Sequence, residues 1–387
     1  MQVIQVTDKK TVNEFHQLPA TIYKNDSNWI PELRIMVENT FNPAKNAKFK
    51  TGDARRWIVK KDGICVGRIA AFFDSDYSAT YLQPTGGCGF FESINDKEVA
   101  FLLFDTAKKW LVENGMEAMD GPINFGENFF NWGLLTEGFQ QQTFGMQYNQ
   151  EYYRELFEAY GFKTYYKQFS YALDITYPDL PDRFWKIAKW VANKPGYSYE
   201  TFKFKNEDKY ISDFIEIHRQ AWDSHGNYKP IRANELKEVL QDSKIFLDED
   251  FVIFVYHNGL PIAFFVMLPD LNQIIKKLNT GKLNLFRFLQ ILYLKKRKTI
   301  TRCRVVALGV VKKYQNKGIE SGLFYFLKQI LLRKRWYIDM EMSWIGDFNP
   351  KMNALFKSMG AQQKLTHRTM RYLFDEKKPF VRAPVIE

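Results

Sequence analysis

The strongest restriction on the fold of this chain is that it contains an approximate copy of itself. Residues 59–74 (VKKDGICVGRIAAFFD) resemble residues 255–270 (VYHNGLPIAFFVMLPD). Each stretch reads as two apolar strands hinged on a tight turn, Asp62-Gly63 or Asn258-Gly259. Further along each half, residues 155–162 (ELFEAYGF) resemble residues 354–361 (ALFKSMGA). Both read as a helix closed by a glycine that runs on into a strand, Tyr165–Ile175 or Lys364–Phe374. The two matches share an offset of about 200 residues, which a duplication explains better than chance.

Periodicity places helices near Val12–Tyr23, Lys97–Asn114 and Glu151–Tyr160 in the first half. In the second half they fall near Asp208–Asp223, Ala233–Leu240, Gly318–Arg333 and Pro350–Met359. Helices interleaved with strands predict an α/β (α+β) layer arrangement. With 387 residues the expectation is two domains, 1–176 and 197–375, joined by a Pro-containing linker 177–196 with a short helix and followed by a tail 376–387. The content of 34 Phe, 21 Tyr and 9 Trp excludes a disordered chain. Cys65, Cys88 and Cys303 fit no metal or disulfide spacing, and His218, His225 and His257 fit no metal or triad spacing, so no metal is expected. Met1–Lys10 reads as a short strand rather than an export signal, and no apolar run approaches the roughly 20 residues that span a bilayer. A cytoplasmic location, open to peripheral contact with the inner face of a membrane, is the expectation.

The net charge of +11 is concentrated. From Leu271 to Ile319 there is no acidic residue, while Lys276, Lys277, Lys282, Arg287 and the run Lys295–Lys298 all fall inside. An anionic partner is expected on that surface. The same region ends in Val305–Gly322 (VVALGVVKKYQNKGIESG), an apolar strand, a basic turn and the start of a helix. Unpaired N–H groups and the positive end of the helix dipole make such a start an anion site, and Gln315-x-x-Gly318 points to a phosphate-bearing cofactor.

This second half resembles the GCN5-related N-acetyltransferase (GNAT) superfamily, whose cofactor signature is Gln/Arg-x-x-Gly-x-Gly/Ala. Gln315 and Gly318 match with flanking Val310 and Ile319, Glu320 departs from the small residue of the pattern, and Asn353-x-x-Phe356-x-x-x-Gly360 resembles the family's fourth helix. The first half is similar in outline but lacks the motif, carrying Gly86–Asp96 without basic residues where the loop is expected. The resemblance implies two tandem GNAT-like domains, each a mixed, mostly antiparallel sheet flanked by helices. It implies acetyl-CoA or a longer acyl-CoA as co-substrate, held by Leu308, Val310, Gln315, Asn316, Lys317, Gly318, Ile319, Glu320 and Ser321, with Asn349 and Asn353 near cofactor or acceptor. It further implies direct attack of an amine on the thioester.

Glu341 on the predicted strand Trp336–Trp344 is the candidate base by position, and Ser343 shares its face by alternation. A strand carboxylate paired with a Lys or Arg is an equally open reading. Phe356 stands where many GNAT relatives carry a Tyr acid; a thiol of pKa about 8.5 leaves adequately without one. The aromatic Asn/Gly-rich segment Gly121–Gly133 has the composition of an acceptor-recognition loop or a structural turn. The apolar core Leu283–Leu294 of the basic insert 271–304 is open to three readings: a lid, an interfacial helix on anionic lipid, or a solvated packed helix.

The expected function is an acyl-CoA-dependent N-acyltransferase, with N-acetyl transfer first. Its acceptor is an amine on a small molecule, peptide or lipid; nucleic acid is not expected. The alternatives are a non-catalytic CoA-binding or regulatory protein on the same scaffold, or a lipid-linked or aminoacyl-tRNA-dependent transferase.

Overall fold

The structure, a computed structural model, describes residues 1–387 apart from 80, 127, 129, 177–181, 223–230, 245 and 386–387. His225 and part of the expected linker therefore lie outside the described residues. In chain order the first half contributes β1 (Gln2–Gln5), α1 (Lys9–Ile22), α2 (Arg34–Thr40), β2 (Gly52–Lys61), β3 (Ile64–Asp74), α3 (Ser75–Ser78), β4 (Thr85–Ser93), α4 (Lys97–Glu113), β5 (Ala118–Gly121), β6 (Leu134–Glu137), α5 (Tyr153–Tyr160) and β7 (Lys163–Asp174). Then come α6 (Asp182–Ala192), β8 (Tyr197–Thr201), α7 (Glu207–Trp222), α8 (Ala233–Ser243), β9 (Val252–His257), β10 (Leu260–Pro269), α9 (Asn272–Leu278), α10 (Leu285–Lys296), β11 (Arg302–Val310), α11 (Ile319–Arg333), β12 (Asp339–Gly346), α12 (Pro350–Ser358) and β13 (Gln362–Leu373).

Both hairpin turns form as the sequence predicts. Asp62 and Gly63, and likewise Asn258 and Gly259, take positive φ, the backbone of the tight turn that matches strand twist. The strands join one mixed sheet in the order β1-β2-β3-β4-β5-β13-β7-β12-β11-β10-β9-β8, with β6 beside β13. Among the described residues only β4–β5 and β11–β12 run parallel, so the sheet is mostly antiparallel.

The last strand of each sequence half crosses to the other. β7 lies against β12, β13 lies against β5, and the two cross-over strands pair antiparallel at the centre. Burial explains why the arrangement holds. Tyr171 and Leu173 of β7 sit in the second-half core with Val305, Met340 and Leu327. Met370 and Tyr372 of β13 sit in the first-half core with Phe104, Phe157 and Met119. Each such side chain contributes about 1.5–3 kcal/mol when fully buried. A buried ion pair fixes the β5–β13 seam: Arg371 Nε and Nη2 donate to the two oxygens of Asp120 at 2.6 and 2.8 Å.

One expectation needs correction. The stretch Gly86–Asp96 is not a loop: Thr85–Ser93 is a strand buried along its whole length, and the turn before α4 is only Ile94–Asp96. Its glycines and apolar side chains suit a strand pressed between layers.

Candidate active site

β11 and β12 part company part-way along. Their parallel pairing runs from Arg302↔Asp339 to Val305↔Met342 and stops there. Both strands are irregular at that point. Val306 is an extra residue of β11 against β10, and β12 gains a residue against β7 between Met342 and Ile345. Bulges bend their strands, so the two diverge and leave β11 from Ala307 to Val310, including Leu308 and Val310, without a partner on the β12 side.

The turn that follows β11 is tied back to it by Gln315 Nε2, which donates to the Val310 carbonyl at 3.0 Å. Gln315, Asn316 and Lys317 are exposed. Gly318 takes φ +77° at the N-cap of α11, a conformation that costs other residues roughly 1–2 kcal/mol, and a Cβ there would also meet Val191 of α6 at 3.2 Å. Having no side chain, it leaves the cap open: the first helical bond is Gly322 N–H to the Gly318 carbonyl, so the N–H groups of Ile319, Glu320 and Ser321 have no acceptor within the helix. Lys312, Lys313 and Lys317 are exposed around this end. Glu320, half-buried, is the acidic residue of the first turn.

The first half has the same parting but fills it. β4 and β5 pair only over Thr85–Gly87 and Ala118–Asp120. Beyond that the chain at Ile123 inserts, its N–H donating to the Cys88 carbonyl at 2.9 Å, so close that a Cβ on Gly89 would lie 1.8 Å from the Ile123 carbonyl. The N-terminus of α4 is closed by its own Asp96, which accepts from Glu98 N–H at 2.9 Å. Glu92 points into the core, where it accepts from Tyr23 and Tyr153 at 2.8 and 2.6 Å; burial pushes it up to about 7.

Glu341 and Ser343 sit side by side on β12, both buried, as alternation predicts. Glu341 accepts from Thr143 Oγ1 at 2.6 Å, and Ser343 Oγ accepts from Arg304 Nε at 2.8 Å. Arg304, at 1% exposure, also donates from Nη1 to the Phe144 carbonyl at 2.8 Å, and its Nη2 finds no partner among the described residues. Burial lowers this guanidinium to about 10, which leaves it charged at neutral pH. Asp270, fully buried at the end of β10, accepts from Phe144 and Asn272 N–H on Oδ1 while Oδ2 is unpartnered. Its pKa rises to about 7, chiefly through burial. Asp270, Arg304 and Thr143 were not visible as site residues in the sequence, because Thr143 lies more than a hundred positions before the other two and the three carry no common spacing.

Asn349 and Asn353 are spent on the scaffold. Asn349 caps α12 through Met352 N–H. Asn353 donates to the Gly346 and Asn349 carbonyls and accepts from Tyr171 of β7 at 2.9 Å. Phe356 packs edge-on against Tyr171 in the core. The segment after β5 borders a cavity of about 140 Å³ lined by Ile30, Leu33, Met36, Asn124, Asn131, Phe144 and Ile275 among others. Phe144 and Gly145 form its wall next to Arg304, so the cavity abuts the Glu341 side of the parting strands.

This architecture is found in solved structures. It superposes on a tandem GNAT protein from the clavulanic acid biosynthesis pathway with a TM-score of 0.60, at 11% identity, over 97% of this chain and 99% of that one. A GCN5-related N-acetyltransferase from Sphaerobacter thermophilus gives 0.51 at 10% identity, over 98% of each chain. The chain therefore has a tandem GNAT fold. By sequence it is similar to Protein YghO of Escherichia coli (strain K12), 27% identical over 368 residues, 93% of this chain and 92% of that protein. It is also similar to the bacterial ceramide synthase of Caulobacter vibrioides (strain NA1000 / CB15N), 26% identical over 379 residues, 95% of this chain and 96% of that protein. No protein-family model matches the chain.

Proposed function

We propose that the protein is an acyl-CoA-dependent N-acyltransferase with a single reacting centre, in the second half. The observation that carries this reading is the contrast between the halves. Among the described residues α11 has an open N-terminus beyond a strand edge left unpaired, whereas α4 is capped by Asp96 and its strand gap is filled by Ile123. An open helix start with exposed Lys residues suits a pyrophosphate, and an unpaired strand edge suits the amides of a pantetheine arm.

Ile319, Glu320, Ser321, Lys313 and Lys317 are the residues that would hold the phosphates, with Leu308 and Val310 on the strand edge. The bound thioester supplies an activated acyl carbonyl and a leaving group that needs no strong acid. Glu341 would take the proton of an ammonium acceptor, with Thr143 fixing the carboxylate. Arg304, bonded to Ser343 and Phe144, keeps a positive charge near that carboxylate.

The likeness to a ceramide synthase supports a longer acyl-CoA and a long-chain amine over acetyl-CoA and a small amine, because a ceramide is the amide of two such chains. A CoA-binding protein without transfer activity is the second reading, favoured by Glu320, which places a negative charge where the phosphates would approach.

The test is incubation with acetyl-CoA or palmitoyl-CoA and a panel of short- and long-chain amines, following free thiol and amide mass. Turnover is expected with a long-chain amine, and Glu341→Gln is expected to lower it by roughly 10²–10⁴-fold while thioester binding persists. Binding without turnover would leave the second reading, and an unchanged Glu341→Gln rate would remove Glu341 from the chemistry.

A further inference from the structure

The helix α10 is amphipathic in the wrong sense for a helix packed on a soluble domain. Ile291 faces the core at 1% exposure, yet Leu285, Phe286, Leu289 and Tyr293 stand 76, 64, 54 and 62% exposed. At 100° per residue these four and Leu292 occupy one stripe roughly 120° wide, pointing away from the protein. A continuous stripe of large exposed apolar side chains marks a surface that meets something apolar.

The charge around the stripe says what that partner is. Lys277, Lys282, Lys296 and Arg297 are exposed beside or at the ends of the helix, and they make no ion pair among the described residues. No acidic residue occurs between Leu271 and Ile319. A second protein copy would present this same basic face and repel it, whereas an anionic bilayer accepts both the apolar stripe and its rim.

The position of the helix fits such a partner. The α9–α10 insert enters β11 at Arg302, while the open start of α11 follows Val310 at the other end of the same strand, roughly 26 Å away at the usual rise. The Gly281 carbonyl accepts from Arg34 N–H at 3.0 Å, which holds α2 and its exposed Ile35 next to the start of α10. Met36 of α2 and Ile275 of α9 line the cavity that abuts Arg304. At about 140 Å³ it is below the usual 300–1,000 Å³ of a whole small-molecule site, so it suits the polar end of a chain that remains in lipid.

We propose that α10 and its basic rim dock the protein on an anionic phospholipid bilayer, so that an amine carried by a membrane lipid reaches Glu341 through the cavity beside α2 and α9. The docking stands on its own; the lipid amine rests on the acyl-transfer reading above.

The test uses the full chain with vesicles of phosphatidylcholine alone or with phosphatidylglycerol added. The wild type is expected to co-float with the anionic vesicles and to bind neutral ones at least tenfold more weakly. The double variant Lys296→Gln/Arg297→Gln is expected to lose roughly tenfold or more on anionic vesicles. The triple variant Leu285→Ser/Phe286→Ser/Leu289→Ser is expected to lose binding at any lipid composition, and Phe286→Trp to shift its emission to the blue on adding vesicles. All these side chains are exposed, so folding is expected to survive, and titration with a soluble acyl-CoA should give wild-type affinity. Vesicle binding with no acyl-CoA binding would keep the docking surface and remove the transferase reading. Acyl-CoA binding with no vesicle binding would overturn the docking. A wild type that is dimeric at micromolar concentration and becomes monomeric in the triple variant would also overturn it, because a second copy then covers the stripe.

Discussion

Asp270 is a carboxyl group that the fold holds against its own chemistry. Its ordinary pKa of 3.8 rises to about 7, with burial as the first cause and the N–H groups of Phe144 and Asn272 opposing it. The fold thus favours the neutral acid. The stability linked to this group is complete below about pH 4 and is lost as pH rises through about 7. Asp270→Asn retains an acceptor for both N–H groups and has no charge to bury. Its stability relative to wild type is expected to grow between pH 5 and pH 8, by about 2–3 kcal/mol, in urea titrations at the two pH values. A pH-independent difference would show that the carboxyl titrates normally. At this scale the local form of the turn was legible, because Gln315 and Gly318 are near neighbours: the Gln315 side chain returns to Val310 and Gly318 supplies a left-handed cap. The sequence could not reveal Asp270, Arg304 and Thr143, whose meeting depends on three distant segments.

Among the elements, helices and hairpins were legible because their signals lie within a few residues. The period of α11, the Asn349-Pro350 start of α12 and the two hairpin turns all act locally. Strand partners were not legible. Nothing in Lys163–Asp174 or Gln362–Leu373 states which half each will join, since an alternating apolar pattern specifies a face and not a neighbour. The seam these strands make depends on Asp120 and Arg371, 7 and 5% exposed in their side chains. Removing one partner leaves the other charged and buried, so Asp120→Ala is expected to destabilise the protein by about 3–5 kcal/mol in chemical denaturation. Loss within the range of a surface substitution, about 0.5 kcal/mol, would mean the pair does not hold β5 to β13.

At the scale of the whole molecule, a duplicated sequence has folded into one sheet with two similar partings that differ in how they are filled. In the first half Ile123 occupies the gap and Asp96 closes the helix. In the second half neither place is filled among the described residues, and Lys312, Lys313 and Lys317 are exposed around the helix start. The sequence suggested this asymmetry through the missing basic residues of Gly86–Asp96, although it mistook a buried strand for a loop. What it could not contain was the filling of the gap, a contact made only once the chain after β5 is in place. The most direct measurement is calorimetric titration of an acyl-CoA into the full chain and into Gly318→Leu, a change that demands a left-handed backbone of a residue ill suited to it and crowds Val191. One saturable site per chain, lost in Gly318→Leu while the variant stays folded by circular dichroism, is the predicted result. Two sites per chain, one site unaffected by the substitution, or no binding at millimolar acyl-CoA would contradict a single cofactor groove in the second half.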